Sequence, residues 1–517
     1  MEPFATENGG LAVNHRICSA LLLAIAAPLA AEVDLDAVDA WREANGTDIL
    51  RGFAELLAIP NTPAHPEGLR RTAEWARDEL AARGAAAELL EWPGAPPLVW
   101  ARLTAPGATR TLGVYVHYDG QPVDPPSWTH PPFEPVLYTA SMEAGGRPRP
   151  FPERNETIDP NWYIYARSAG DDKAPIPAML AALDALKAQG TAPTVNLVFL
   201  FEGEEERGST HLGQFFEEYR DRLDVDLWLI CDGPVHQSRR PQLVFGVRGY
   251  SGIDLTVYGA ERYLHSGHYG NWAPNPAWML AELLATMRDD DGNVLIESFY
   301  DSVEMLSPRD REAVLAVPGA EKSLQQELGL VRTEGGGASL IERIMVPSLN
   351  IRGMASATVG PTARNIVPRI AEASLDVRLV KGNNADEQLD LIEAHIRKQG
   401  YTIVREDPDH ATRLAHPKLI KVVRRPGYPA VRTSIDAPVA APIIEAADRA
   451  AGESVILMPT LGGSLPLYLF TEQLGDPIVV VPIANHDDNQ HAPDENMRIG
   501  NLWYGIRLFA AIFATED

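Results

Sequence analysis

The sequence predicts an α/β protein with a mainly parallel sheet, into which a smaller α+β domain is inserted. Three observations carry this: four near-continuous apolar runs of strand length, helical patterns lying between them, and a middle stretch whose strands alternate instead. With 517 residues the chain has room for several domains, each with a core of its own.

Taken in order, the first feature is the apolar run Ile17 to Ala31, which follows Arg16 and ends in small residues before Glu32. It reads as the core of a signal peptide over residues 1–31 and is too short to cross a bilayer; the competing reading is a short buried helix. Export would place the protein in the periplasm or outside the cell, and the alternative is the cytoplasm. Next comes a helix over Asp48 to Ile59, with Thr47 as its N-cap and Pro60 closing it. A second helix spans Pro66 to Arg83, with Glu67 in its first turn and Gly84 past its end.

Leu112 to Tyr118, Thr194 to Phe201, Asp226 to Cys231 and Ile478 to Ile483 are the apolar runs, as expected of strands covered on both faces. Between the first two lies a helix, Ala174 to Gln189, with Pro175 in its opening turn and Gly190 at its close. From about Gly246 to about Tyr401 the pattern changes. Strands Ser251 to Tyr258 and Ala373 to Leu379 alternate, which leaves one sheet face in water, and Pro276 to Arg288 and Ala385 to Gln399 read as amphipathic helices. α/β features resume with the helix Ala437 to Ala451. Residues 32–245 and 420–517 are therefore expected to form one domain and 246–419 the insertion. Gly335-Gly-Gly reads as a loop tip.

Charge narrows the function. Forty-five Lys and Arg stand against 71 Asp and Glu, a net of −26, which repels phosphate backbones and anionic membranes. Nucleic acid and membrane are excluded as partners. The two cysteines, Cys18 and Cys231, can make neither a disulfide scaffold nor a thiolate zinc finger, so any metal would sit on imidazole and carboxylate.

Such groups collect at strand ends. His117 and Asp119 close the first buried strand, and the C-terminal edge of an open α/β sheet is where ligands bind. Glu202, Glu204, Glu205 and Glu206 crowd the end of the second; a solvated acidic turn is the alternative reading, but mutual repulsion makes a bound cation an attractive one. Asp232 follows the third strand, and His486 and His491 follow the last. Asp171 and Asp172 precede the crossover helix, where one of them could instead serve as its N-cap. Imidazoles from two strand ends and several carboxylates delivered by different strands suit two divalent ions that activate a water for hydrolysis.

In sequence order, Tyr115-Val-His117-Tyr-Asp119-Gly-Gln-Pro, Arg167-Ser-Ala-Gly-Asp171-Asp-Lys173, Glu202-Gly-Glu-Glu205-Glu206-Arg-Gly-Ser209, Cys231-Asp232, His265-Ser-Gly and His491-Ala-Pro-Asp-Glu495 resemble the M20 metallopeptidases. Trp128 and Pro131-Pro-Phe-Glu-Pro make the carnosinase-like dipeptidase branch the most similar. The resemblance implies a di-metal catalytic domain and an inserted lid and dimerisation domain. It implies that His117, Asp171 and Asp232 serve one ion, Asp171 bridging, while Glu206 and His491 complete the other. The ions would be zinc, with manganese or cobalt as alternatives. Glu205 would be the general base acting on a metal-bridged water, Asp119 would orient His117, and the Asp171–Asp172 peptide would be cis. In a homodimer formed through the lid, His265 would act as an oxyanion donor on the partner's site. Arg378, Asn275, Gly463 and Ser464 would bind substrate.

The implied activity is amide hydrolysis of dipeptides or of the C-terminal residue of short peptides. Deacylation of N-acyl amino acids is the alternative, and a catalytically silent peptide-binding protein a more distant one. Four positions depart from the family pattern: Ala174 where glycine is usual, Thr460-Leu461 where this branch carries an Arg-Glu pair, and Asn365 where threonine is frequent.

Overall fold

The computed structural model describes Met1 and residues 33–154 and 156–515; apart from Met1, the expected leader lies outside the described residues. An eight-stranded mixed sheet forms the centre. In spatial order its strands are Ala86–Leu90, Leu98–Leu103, Asn196–Glu202, Thr111–His117, Leu227–Ile230, Ile478–Val480, Gln242–Val244 and Ile456–Met458. The four middle strands run parallel; Leu98–Leu103 runs against them and Ala86–Leu90 against it, and at the other edge Gln242–Val244 pairs antiparallel with Ile478–Val480.

Every residue of those middle strands is buried. Leu197, Phe199 and Phe201 face a core shared with helices Leu35–Leu57, Pro175–Ala188, Ala441–Ala451 and Ile499–Phe513. Val198 and Leu200 face the opposite core, built with Leu212, Phe215 and Phe470. Cover on both sides is why the runs are apolar without alternation.

A single helix, Leu35–Leu57, stands where Asp48 to Ile59 was expected. Its cap is Asp34, whose Oδ1 accepts the amides of Asp36 and Ala37 at 3.0 and 3.1 Å. Thr47 lies inside the helix and its hydroxyl donates to the Glu153 carbonyl at 3.2 Å. Gly46, just before the expected cap, lies inside the helix and serves packing: a Cβ there would lie 2.9 Å from Ile158 Cδ1.

A five-stranded sheet carries the insertion, in the order Ser348–Ala355, Ile370–Leu379, Gly249–Tyr258, Leu419–Tyr428, Thr402–Val404. Ile370–Leu379 alternates buried and open positions, and Leu280, Leu283, Leu389 and Ile392 from two helices cover its inner face. The strand Leu419–Tyr428 pairs along Gly249–Tyr258, so this sheet extends past residue 419, where the sequence reading ended the insertion. The run Leu419-Ile-Lys-Val-Val suits a strand of either sheet, and nothing local assigns it. The chain enters and leaves the insertion through a short antiparallel ribbon, Gly246–Val247 with Val431–Arg432.

A small sheet pairs Tyr163–Tyr165 with Asn496–Arg498 and with Val136–Tyr138. It lays the loop before Asp171 beside the loop that carries His491.

Candidate metal centre

His117 is the last residue of its strand and stands opposite Glu202 in register. Asp232 lies just past Leu227–Ile230, and Glu205 and Glu206 open the turn after Asn196–Glu202. Because these strands are parallel, all four residues emerge at one edge. Asp171 and Asp172 sit in the turn before the Pro175 helix, joined by a cis peptide. Neither caps that helix, which has no side-chain cap. His491 occupies the left-handed region at φ 62°, a conformation histidine adopts sparingly and that concentrates at functional sites.

The donor atoms converge. His117 Nε2 lies 2.8 Å from Asp171 Oδ1 and 3.9 Å from Asp232 Oδ2. The second oxygen of Asp171 faces the other way, 3.1 Å from His491 Nε2, which is itself 3.2 Å from Glu206 Oε2. Two groups result, His117 with Asp172 and Asp232, and Asp171 with Glu206 and His491, each with its donor atoms within 4.8 Å of one another. Asp172, given no role from sequence, thus joins the first group, while one of its oxygens accepts the His117 amide at 3.3 Å.

The acidic run sorts by partner. Glu202 accepts the Tyr115 hydroxyl at 2.6 Å and that of Ser209 at 3.1 Å, and Glu204 takes the His211 ring at 2.7 Å. Glu206 is left to the second donor group, and Glu205 lies near enough to His117, Asp232 and Glu206 to feel their charges. The two carboxylate oxygens of Asp119 accept their backbone amides, each at 3.1 Å, while His117 Nδ1 is nearer the Asp119 carbonyl, at 3.2 Å, than its carboxylate, at 3.5 Å. Asp119 therefore grips the turn that bears both glutamates as well as adjoining the imidazole.

Glu495, Gln121 and Gln490 also had no sequence-assigned role. Glu495 accepts the amides of Ser168, Gly170 and Asp171 at 2.9–3.0 Å and the Arg167 guanidinium at 2.6 Å. Gln490 donates to Asp171 at 2.9 Å and Gln121 to Glu206 at 2.7 Å. The only signal for Gln121 and Glu495 was their place inside the quoted motifs, and for Gln490 its place next to His491.

Among the described residues, no arginine or lysine pairs with Asp171, Asp172, Asp232, Glu205 or Glu206. Lys173 is buried and spends its Nζ on the carbonyls of Leu56 and Ile59, both at 2.9 Å. Burial pushes Glu205 well above the usual carboxylate range, helped by Asp232 and Glu206, and lifts Asp232 to about 6. Asp171 goes down: burial opposes this, but the His117 and His491 contacts outweigh it. His491 rises to about 10 on its contacts with Asp171 and Glu206. Carboxylate oxygens gathered with imidazole nitrogens, and with no arginine or lysine among the described residues paired to them, fit divalent ions, and the free thiol Cys231 takes no part in either group.

Of the expected substrate residues, Arg378 and Ser464 meet: Arg378 Nη1 donates to Ser464 Oγ at 2.9 Å, while Nε reaches Asp376 at 3.2 Å. The Gly463 carbonyl accepts the Arg248 amide at 3.2 Å. Asn275 is a helix cap whose side chain accepts the Ala277 amide at 2.9 Å. His265 is exposed at the edge of a short ribbon with Ile366, its ring 4.7 Å from that of His268, and it belongs to neither donor group.

A family model described as peptidase family M20/M25/M40 matches residues 113–515. The Cys-Gly metallodipeptidase dug1 of Schizosaccharomyces pombe is 24% identical over 422 residues, covering 80% of this chain and 81% of that protein. The Beta-Ala-His dipeptidase of Homo sapiens is 26% identical over 430 residues, covering 81% and 77%. Among solved structures, the M20 family metallo-carboxypeptidase Sso-CP2 from Sulfolobus solfataricus superposes with a TM-score of 0.69 at 28% identity, covering 90% of this chain and 98% of that one. The expectation of export is corrected here: the likeness to the yeast and human dipeptidases does not carry it, and a periplasmic or secreted location is withdrawn. No helix among the described residues is long and apolar enough to cross a membrane.

Proposed function

The chain belongs to peptidase family M20/M25/M40, and on that premise we propose that it is a metal-dependent hydrolase cleaving dipeptides, or the C-terminal residue of short peptides, with Glu205 as general base. The observation that carries this is the pair of donor groups meeting at Asp171, with Glu205 near enough to feel the charges of His117, Asp232 and Glu206, and with no arginine or lysine among the described residues to neutralise them.

His117, Asp171 and Asp232 would hold one ion and Asp171, Glu206 and His491 the other, most simply zinc, with manganese or cobalt as alternatives. Ions held there would polarise the scissile carbonyl and make water acidic enough to attack at neutral pH. Glu205, desolvated and fixed through its backbone by Asp119, takes a proton from the attacking water and returns it to the leaving amine. Arg378 and Ser464 fit the substrate carboxylate, a charge-assisted pairing that fixes the C-terminal end.

Of the described residues, those from 33 to 247 with those from 429 to 515 would form the catalytic domain and the five-stranded sheet the lid. A homodimer through the lid is supported by its edge strand Ser348–Ala355, which exposes Ile351 and Met354 and leaves one side of its backbone unpaired, and by exposed Trp272 and Trp278. His265 would then act across that interface. Light scattering giving a monomer would remove both claims.

Deacylation of N-acyl amino acids is the second reading. Thr460 and Leu461 have no ionisable side chain, so neither offers a charge to a substrate amine. A panel of dipeptides and N-acetyl amino acids, tested on protein stripped and reloaded with zinc or manganese, separates the two. Metal-dependent release of amino acids from dipeptides supports the first reading, and release from N-acetyl substrates alone supports the second.

A further inference from the structure

Three tyrosines lie against the Arg378–Ser464 pair. Tyr250 and Tyr428 stand opposite one another in register on neighbouring strands of the inserted sheet, with ring centroids 6.3 Å apart. Tyr468, which follows the Gly463-Ser464 turn, stacks on Tyr428 at 5.9 Å with the rings 13° from parallel. The Arg378 guanidinium lies 5.4 Å from the Tyr250 ring centroid, and in register Tyr250 stands between Arg378 and Tyr428.

All three rings are only partly buried, and Tyr250 and Tyr428 pack into none of the hydrophobic cores. A merely structural cluster would be sealed; this one keeps open ring surface beside the groups that fit a carboxylate. The carboxylate and side chain of a C-terminal residue branch from one α-carbon, so whatever flanks Arg378 and Ser464 meets that side chain.

We infer that Tyr250, Tyr428 and Tyr468 form the subsite for the side chain of the substrate's C-terminal residue, and that it selects aromatic side chains over small aliphatic ones. The inference rests on the reading of Arg378 and Ser464 as holders of the substrate carboxylate. Aromatic rings favour offset and edge-to-face partners, which three differently tilted tyrosines supply, whereas a methyl group would leave their faces wet.

The test uses the full chain reloaded with zinc. The ratio of kcat/KM for Ala-Phe over Ala-Ala, and for N-acetyl-Phe over N-acetyl-Ala, is expected to be about tenfold or more. Tyr428→Ala and Tyr468→Ala should each bring that ratio toward one, and Tyr428→Phe should keep it. A ratio near one in the unaltered protein, or one that survives the double alanine variant, overturns the subsite. If neither substrate class is cleaved, the hydrolase reading falls by itself and calorimetry decides the subsite: tighter binding of N-acetyl-phenylalanine than of N-acetyl-alanine, lost in Tyr428→Ala, supports it, and equal affinities overturn it.

Discussion

The Glu495 carboxylate accepts the Asp171 backbone amide at 2.9 Å, so the loop that delivers His491 also fixes the residue lying between the two donor groups. Glu495 is fully buried and its other contacts hold Ser168, Gly170 and Arg167. Glu495→Gln should weaken metal affinity about 10–100-fold, because partners of ligand-bearing segments orient the ligands. Chelator competition followed by metal analysis checks this, and unchanged affinity would show that the loop holds without it.

Asp119 is expected to matter through the turn it grips. Asp119→Asn turns an amide NH2 toward one of two backbone N–H groups, so it should lower kcat by about 10–100-fold, and Asp119→Ala by at least as much. Steady-state kinetics on metal-saturated protein reads the effect. A change confined to KM would contradict the assignment.

For Arg378, removal should raise KM for substrates with a free C-terminal carboxylate by about 10–100-fold, the value of a charge-assisted hydrogen bond. Lysine should not restore it fully, since the guanidinium already divides its donors between Ser464 and Asp376. The matched C-terminal amide should show no such loss.

A pH effect is expected away from the site. Glu393, on helix Ala385–Lys398, is held by Arg397, Arg405 and Arg424. Burial pushes its carboxyl up, but Arg405 and Arg424 outweigh that and hold it at about 2, below its ordinary 4.5. A depressed carboxyl stabilises the fold above 4.5, and that contribution is lost as pH falls from there toward 2. Glu393→Gln should therefore cost about 1–3 kcal/mol at pH 7, with the difference from the unaltered protein shrinking below pH ~4.5 in thermal unfolding. A gap of constant size would contradict the sign.

What was legible in the sequence follows from period and punctuation. The four middle strands showed because burial on both faces leaves a continuous apolar run, and the ends of those strands pointed to the site. Leu35–Leu57 was misread because Gly46-Thr47 imitates a helix start; Gly46 answers to Ile158, more than a hundred residues away, which no local pattern reports. Glu202 and Glu204 could not be told from Glu205 and Glu206 by spacing, since their partners Tyr115, Ser209 and His211 are set by packing. Asn275 shows the converse: its place before Pro276 is a capping signal, and the structure uses it as one.

The central claim is that Glu205 moves the proton while other residues hold the ions, and Glu205→Gln in fully metal-loaded protein tests it most directly. The account predicts metal-dependent release of amino acids from a dipeptide by the unaltered protein, and a loss of kcat of about a thousandfold or more in the variant at unchanged metal stoichiometry. A variant that keeps its kcat, or that loses activity only because it no longer binds metal, would contradict it.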